Sequence, residues 1–305
     1  MKKALVLSGG GAKGAWSGGV VEYLKENGRE WDIVLGTSTG SLLSPLSAIG
    51  EMEKLKEAYT SVSNKSIFDK KPFNEKGKIR IFNAIWRIIT KRTSLGRANN
   101  LKKKLKEIVT EEDFNRINSE GKEVLAVVTN MTKFKTEYKS SKDYTYDEFL
   151  KWLLCSSSVP VLFEIQNING CQYLDGGILE PVPLQQAIDM GATEIDVVVL
   201  SAEVNQEYAD VRNMFDVALR TLDFMNKEIT KDDLVIGQLE GEETEVKINI
   251  YRVPFSLTKN SIIFDKDQMT KWWEMGYEFA KEHNQVNYKL KRTKTSKAYK
   301  ITKKL

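Results

Sequence analysis

The chain has 305 residues, of which 41% are apolar, and this length and composition suffice for one large globular domain or two smaller ones. No stretch approaches the roughly twenty consecutive apolar residues of a membrane-spanning helix, and residues 4–7 are too short for the apolar part of a signal peptide. The two cysteines, Cys155 and Cys171, argue against a disulfide framework and predict a cytosolic protein.

The formal net charge of +4 is unevenly distributed along the chain. Residues 289–304 contain eight lysines and arginines and no acid, and residues 70–106 contain thirteen basic residues against the single acid Glu75. Such positive charge suits an anionic partner, and of the two candidates we favour phospholipid head groups over nucleic acid. A basic run is more often a solvated end, so residues 289–305 are expected to form a disordered tail.

The first fifty residues predict alternating strands and helices. Apolar runs at residues 4–7 and 33–35 predict buried strands, and each is followed by a predicted helix, at 15–26 and 39–49. This order is typical of a parallel sheet covered by helices. A further charged helix is expected over residues 51–63.

Residues 66–121 show no strand pattern and are rich in basic residues, so we interpret them as a helical insertion packed over the sheet. Within it, residues 78–92 are typical of a basic amphipathic helix, because Phe82, Ile85 and Trp86 share one side. Such a helix either caps the domain or inserts into a membrane surface.

Strand patterns resume after the insertion, and residues 1–288 are expected to form a single α/β domain. Further strands are predicted over residues 124–128, 161–165, 171–174, 195–200 and 246–252. Helices are predicted over residues 146–154, 184–190 and 208–229, with a last helix around Trp272 and Trp273.

A glycine-rich loop follows the first predicted strand, with Gly9, Gly11 and Gly14 in the spacing G-x-G-x-x-G. Dinucleotide sites use this spacing but also require an acid at the end of the second strand. Asp32 lies at the start of that strand, which argues against a dinucleotide site. The favoured alternative is an oxyanion hole, in which backbone N–H groups stabilise a developing negative charge, while a purely structural turn stays open.

Residues 36–40 match the G-x-S-x-G spacing of a nucleophile elbow, in which small residues on either side of the serine let a strand and a helix pass closely. The central Ser38 needs a proton acceptor, for which histidine is the usual choice. The chain has one histidine, His283, which lies near the basic tail and is disfavoured as a base. Ser38 must then work with a carboxylate, or the motif is only a structural turn.

Asp175 ends a predicted strand and is followed by Gly176 and Gly177. Parallel sheets place reactive groups at the carboxyl ends of their strands, where Ser38 also lies. An Asp-Gly pair by itself is more often an ordinary turn. Its occurrence together with the other two motifs favours a catalytic carboxylate.

The three motifs occur in an order that resembles the patatin-like phospholipase family over about residues 2–186. This resemblance implies a three-layer αβα fold with a mainly parallel central sheet, and hydrolysis of lipid acyl esters through a Ser-Asp dyad. It implies that Ser38 is the nucleophile and Asp175 its base. The backbone of Gly9, Gly10 and Gly11 would form the oxyanion hole, and the other motif residues would support the site: Ala12, Lys13, Gly14, Gly36, Thr37, Thr39, Gly40, Gly176 and Gly177.

Two further segments resemble the family, C-S-S-S-V-P at residues 155–160 and E-P-V-P at residues 180–183. We expect both to shape the site without taking part in the chemistry. Lys13 departs from the arginine that many members have at this position, so an anion contact there would be less directional.

The leading hypothesis is a cytosolic serine hydrolase that acts on phospholipids or related lipids at a membrane surface. Contact with an anionic membrane would involve residues 78–92 and 289–305. No cofactor is expected, because the sequence contains no cluster of histidines or cysteines at metal-ligand spacing. Two alternatives stay open: a membrane-binding protein with weak catalysis, and an acyltransferase that uses the same dyad.

Overall fold

The fold is described from a computed structural model over residues 1–67, 94, 98–202, 210–211, 214–258 and 260–283. The predicted amphipathic helix at 78–92 and the predicted tail at 289–305 lie outside the described residues. Within them, no helix is both long and apolar enough to cross a membrane.

Strands and helices alternate at the start of the chain, as the apolar runs predict. The elements up to the third strand are β1 (Lys3–Leu7), α1 (Gly14–Glu26), β2 (Ile33–Thr37), α2 (Thr39–Ile49), α3 (Met52–Thr60), α4 (Asn64–Ile67), α5 (Asn99–Ile108), α6 (Glu111–Ser119) and β3 (Glu123–Asn130). The remaining elements are β4 (Lys135–Ser140), α7 (Tyr146–Ser156), β5 (Gln166–Ile168), β6 (Cys171–Asp175), α8 (Leu184–Asp189), β7 (Glu194–Val199), α9 (Met214–Glu243), β8 (Lys247–Arg252) and α10 (Lys266–His283).

The strands form one mixed sheet with a parallel centre. In the described residues, β3, β2, β1, β7 and β8 lie side by side in that order, and all neighbouring pairs among them are parallel. Beyond them, β4, β6 and β5 are joined by antiparallel pairing. The prediction of a mainly parallel α/β sheet is therefore confirmed.

Helices cover both faces of the sheet, which gives the three layers implied by the sequence. Alternate residues of β1 point to opposite faces, as the two-residue period of a strand requires. Leu5 and Leu7 join the larger core, which is formed with α1, α2, α3, α7 and α10. Ala4 and Val6 join the smaller core on the other face, formed with α8 and α9. The carboxyl ends of β1 and β2 emerge between these layers and lead into the two N-terminal motifs.

The structure differs from the sequence analysis in one predicted strand, in the two unpredicted strands β4 and β5, and in the length of one helix. The strand predicted over residues 161–165 is wrong, because this segment is a turn in which Val161 has φ 72°, and Leu162 and Phe163 are buried in a separate apolar cluster. β4 was not predicted, since its sequence is mostly polar and only half-buried. The helix predicted over 208–229 extends to Glu243, where Leu234 packs into the smaller core.

Candidate active site

Ser38 lies on a strained turn between β2 and α2. Its backbone has φ 55° and ψ −122°, a region that residues with a side chain rarely adopt, and this conformation lifts the side chain out of both elements. The strand and helix approach so closely that a Cβ on Gly36 would lie 2.4 Å from the Gly40 carbonyl carbon, and one on Gly40 would lie 2.2 Å from the Leu7 oxygen. The glycines are thus required by the geometry of the elbow.

Asp175 lies beside Ser38 because β3 pairs with two strands in turn along the same side, first with β2 and then with β6. Thr37, the last residue of β2, pairs with Val127. The next residue of β3, Val128, pairs with Asp175 of the antiparallel β6. The carboxylate therefore follows directly after the end of β2, beside the residue that comes after Thr37.

The Asp175 carboxyl is buried, and this burial raises its pKa to about 7, while the Ser38 hydroxyl and the Gly177 N–H act against the shift. Its Oδ1 accepts a hydrogen bond from the Gly177 N–H at 2.8 Å. The other oxygen, Oδ2, is buried and accepts no hydrogen bond of standard geometry among the described residues. One carboxylate oxygen is therefore anchored, and the other is available to accept a proton.

The glycine loop provides backbone donors next to Ser38. Among the described residues, none accepts a hydrogen bond from the N–H of Gly9, Gly10 or Gly11. A side chain on Gly9 would lie 3.1 Å from the Ser38 Cβ, which puts this part of the loop directly against the serine. Gly11 has φ 58°, and a Cβ there would lie 2.2 Å from the Ser261 carbonyl oxygen, so this position requires glycine. Unpaired N–H groups near a nucleophile are the arrangement of an oxyanion hole.

The segment at residues 155–160 contacts the backbone of both Ser38 and Asp175. The Ser156 hydroxyl accepts the Ser38 N–H at 3.0 Å, inside a fully buried environment. Two residues later, the Ser158 carbonyl accepts the Asp175 N–H at 3.1 Å. This segment therefore links the turn at Ser38 directly to the end of β6 at Asp175. The sequence drew attention to the segment but not to Ser156 itself.

A second support comes from α9. Asn226 donates a hydrogen bond to the Gly177 carbonyl at 3.0 Å, and Asp233, seven residues later on the same side of the helix, accepts the Val182 N–H at 3.0 Å. The helix thus holds the loop that follows Asp175 at two points. Burial raises the pKa of Asp233 to about 7, as it does for Asp175. No local sequence pattern could have identified Asn226, because its partner lies 49 residues away.

A cavity of about 320 Å³ lies at the carboxyl ends of the central strands and contains both Ser38 and Asp175. The three loop glycines line it on one side. Its apolar lining consists of Val159, Pro160, Ile178, Leu200, Ala202, Leu219, Leu222, Met225 and Ile262. Lys13 also lines it and donates a hydrogen bond to the Leu200 carbonyl at 3.0 Å, and burial lowers the pKa of this ammonium group.

Among the supporting motif residues, Lys13 and Gly177 line the cavity, and the others make contacts that hold the motif segments in place. Thr37 Oγ1 donates to the Glu180 carbonyl at 3.1 Å, and Thr39 Oγ1 shares a hydrogen bond of 2.9 Å with the Tyr59 hydroxyl. The Ala12 N–H donates a hydrogen bond to the Ser261 carbonyl at 2.8 Å. Two glycines have no room for a side chain: a Cβ on Gly14 would lie 2.5 Å from Thr39 Oγ1, and a Cβ on Gly176 would lie 2.3 Å from the Val127 carbonyl oxygen.

The two residues that the sequence argued against lie elsewhere. His283 is not among the residues that line the cavity, and its ring stacks on Phe279 with centroids 3.8 Å apart. Asp32 precedes β2 at its amino end, where its carboxylate accepts the Lys3 N–H at 2.7 Å. Neither position is suited to the chemistry at Ser38.

Similarities to known proteins are found with a family model, with a protein sequence and with a solved structure. The family model for patatin-like phospholipases matches residues 5–188, which is more than half of the chain. A protein named "Probable lipid hydrolase 463L", from Invertebrate iridescent virus 6, is 26% identical over 196 residues, which cover 61% of this chain and 63% of that protein. The crystal structure of VipD from Legionella pneumophila aligns with a TM-score of 0.47 at 16% identity, over 92% of this chain and 66% of VipD. The matched part of this chain thus spans slightly less than two thirds of the length of the viral protein and of VipD.

Proposed function

Because the chain belongs to the patatin-like phospholipase family, we propose that it hydrolyses fatty-acyl esters of phospholipids or related lipids through a dyad of Ser38 and Asp175. The main support is the cavity lined by Ser38, Asp175 and the three loop glycines, whose N–H groups have no acceptor in the part of the chain that the structure describes. The viral relative is named a lipid hydrolase, which agrees with this class of substrate. Cytosolic residence stays a prediction.

In the proposed first step, Ser38 Oγ attacks the ester carbonyl and its proton passes to Asp175. The N–H groups of Gly9, Gly10 and Gly11 stabilise the resulting oxyanion, since they have no other acceptor among the described residues. When the tetrahedral intermediate collapses, the C–O bond to the alcohol breaks and the alcohol takes the proton from Asp175. An acyl group then remains on Ser38.

In the second step, Asp175 takes a proton from a water molecule that attacks the acyl-serine. Collapse of this intermediate releases the fatty acid and returns the proton to Ser38. A carboxyl pKa of about 7 suits both roles, because the group can accept and return a proton near neutral pH. The apolar part of the cavity wall suits a hydrocarbon chain.

Incubation with mixed phospholipids followed by lipid mass spectrometry tests this function. Release of free fatty acid by the parent protein, and none by Ser38→Ala, is the expected result. A fluorophosphonate probe should label Ser38 and raise the mass of the peptide that contains it. Lysolipid formed with the acyl group transferred to another acceptor would identify an acyltransferase instead, and an absence of acyl release or transfer would contradict the proposal.

We further propose that residues 78–92 and 289–305 contact anionic membranes through their basic side chains. Their charge, and the apolar side of the predicted amphipathic helix, support this part of the proposal. Partition onto anionic vesicles should weaken as salt concentration rises. Salt-independent partition would contradict an electrostatic contact.

A further inference from the structure

Ser8 connects the first strand to the glycine loop and directly precedes the G-x-G-x-x-G motif. It follows β1, and its N–H donates to the Val198 carbonyl of β7 at 3.0 Å, which extends the pairing of these two strands by one residue. Ser8 is buried, with an exposed fraction of 2%. A buried hydroxyl requires hydrogen-bond partners, because leaving it without them costs free energy.

The Ser8 hydroxyl has one partner in the loop and one on the neighbouring strand. It donates to the Gly9 carbonyl at 3.3 Å and accepts the N–H of Leu200, the residue that follows β7, at 2.9 Å. Both the donor and an acceptor site of the hydroxyl are therefore used.

The bond to Gly9 determines the direction of an N–H group in the loop. In a planar trans peptide the C=O and the N–H point in opposite directions, so a Gly9 carbonyl held by Ser8 turns the Gly10 N–H away from Ser8. The next peptide is held in the same way, since the Gly10 carbonyl accepts the Lys13 N–H at 3.3 Å. The N–H groups of Gly10 and Gly11, two of the proposed oxyanion donors, thus have fixed orientations.

Leu200 holds both ends of the glycine loop. Its N–H bonds Ser8, which precedes the glycines, and its carbonyl accepts the Lys13 ammonium, which follows them, at 3.0 Å. Its side chain packs against the middle of the loop, where a Cβ on Gly10 would lie 2.7 Å from Leu200 Cδ1. The loop is therefore fixed on one residue at its start, at its middle and at its end.

We infer that Ser8 is a positioning residue of the oxyanion hole. Its hydroxyl sets the direction of the Gly10 N–H, and together with Lys13 it fixes the glycine loop on Leu200. This inference rests on the proposed ester hydrolysis, because the orientation of these donors matters only when an oxyanion forms at Ser38. Donors that are held in place before the reaction stabilise the oxyanion without first having to reorient.

Hydrolysis of p-nitrophenyl butyrate by the full-length protein tests the inference. Ser8→Ala removes both hydrogen bonds of the hydroxyl, and we expect kcat to fall about tenfold while KM changes little. The matched control is Ser141→Ala, because Ser141 is 1% exposed, its hydroxyl accepts the Val124 N–H at 3.1 Å, and it is not among the residues that line the cavity. The control should keep the kcat of the parent even where it loses as much stability in urea.

Two inhibitors separate an effect on the oxyanion from a general loosening of the site. When Ser38 Oγ adds to the carbonyl carbon of a long-chain trifluoromethyl ketone, its proton passes to Asp175 and the carbonyl oxygen becomes an oxyanion. The matching methyl ketone binds in the same cavity without forming a stable adduct. Ser8→Ala should raise the inhibition constant of the trifluoromethyl ketone about tenfold and leave that of the methyl ketone unchanged.

Lys13 tests the other end of the loop independently. Lys13→Met removes the donor to the Leu200 carbonyl and should also lower kcat about tenfold, whereas Lys13→Arg should restore most of it, because a guanidinium can donate to the same carbonyl. Lys122→Met is the control, since the Lys122 ammonium donates to the Ala48 carbonyl at 2.7 Å and is not among the groups that line the cavity.

Three results with an active parent protein would overturn the inference about Ser8. They are equal kcat values for Ser8→Ala and Ser141→Ala, equal rises in the two inhibition constants, or, where Ser8→Ala does not fold, an unchanged kcat in Lys13→Met. A parent protein that hydrolyses no ester would refute the proposed function itself, and the inference with it.

Discussion

Asp175 lies next to Ser38 because the two residues follow neighbouring register positions on β3. Val127 pairs with Thr37, immediately before Ser38, and Val128 pairs with Asp175. The parallel β2 and the antiparallel β6 thus share one side of the same strand, one after the other. This relationship brings together two residues that are 137 positions apart in the chain.

The dyad predicts that Ser38→Ala and Asp175→Asn each reduce ester hydrolysis by about 10³-fold or more, because the nucleophile and its base act as a unit. Both variants should keep the circular dichroism spectrum of the parent. Ser47→Ala is the matched control, since Ser47 lies in α2, the helix that follows Ser38, and its hydroxyl donates to the Leu43 carbonyl. Normal turnover in either dyad variant would refute the proposed chemistry.

The raised pKa of Asp175 predicts the dependence of activity on pH. The carboxyl must be ionised to accept the Ser38 proton, and its pKa is about 7 in the free protein. We therefore expect kcat/KM for a soluble ester to fall about tenfold per pH unit below 7 and to level off above it. Asp233→Asn should show the same fall in kcat/KM below pH 7, because the Asp233 carboxylate accepts the Val182 N–H, although the pKa of Asp233 is also about 7. A flat profile from pH 5 to 8 would exclude Asp175 as the base.

The same burial predicts how stability depends on pH. The folded-state pKa of Asp175 is about 7 and lies above its ordinary value of 3.8, so the folded protein favours the protonated form. The stability this group contributes is present below about pH 4 and is lost as pH rises through 7. Asp175→Asn should therefore be more stable than the parent at pH 8, by on the order of a few kcal/mol, and close to it at pH 4. Urea unfolding of both proteins at pH 4 and pH 8 measures the difference in their free energies of unfolding. The same difference at both pH values would contradict the prediction.

Gly11 should be sensitive to the smallest side chain. Gly11→Ala would add a Cβ 2.2 Å from the Ser261 carbonyl oxygen, so the glycine loop and the Ser261 backbone must move apart. We expect turnover to fall about 10²-fold, the cost of disturbing one oxyanion donor. Gly28→Ala is the control, because Gly28 also has a positive φ, 77°, but a Cβ there would contact nothing within 4 Å. It therefore introduces backbone strain without displacing a neighbouring segment. That control should lose about 1–2 kcal/mol of stability and no turnover.

Ser156 should position Ser38 without touching the substrate. Ser156→Ala removes the acceptor of the Ser38 N–H and leaves a buried donor unpaired, at a cost of about 1–3 kcal/mol in stability. Relaxation of the strained turn should lower kcat by about tenfold or more while KM changes little. Ser157→Ala is the control, since its hydroxyl bonds only the Leu153 and Leu154 carbonyls. Equal kcat values for Ser156→Ala and Ser157→Ala would assign Ser156 a purely structural role.

The sequence was sufficient to predict the parallel centre of the sheet. Buried strands such as β1 and β2 appear as short apolar runs, and the glycine motifs mark the turns that follow them. β4 has no such signal, because it is an edge strand whose side chains are half-buried. The apolar run at residues 161–165 led to a wrong strand prediction, because a buried turn requires apolar side chains just as a buried strand does.

The local sequence is enough to identify candidates for acyl-transfer chemistry: a serine with small neighbours at Ser38, a carboxylate before two glycines at Asp175, and a glycine loop after β1. These are local properties, because a turn depends on residues adjacent in the chain. Three further features depend on the packed fold: β3 puts Ser38 beside Asp175, burial raises the pKa of the Asp175 carboxyl, and Ser156 and Asn226 support the turns at Ser38 and after Asp175. Those contacts join residues 47 or more positions apart, and the desolvation that raises the pKa comes from burial in the packed core.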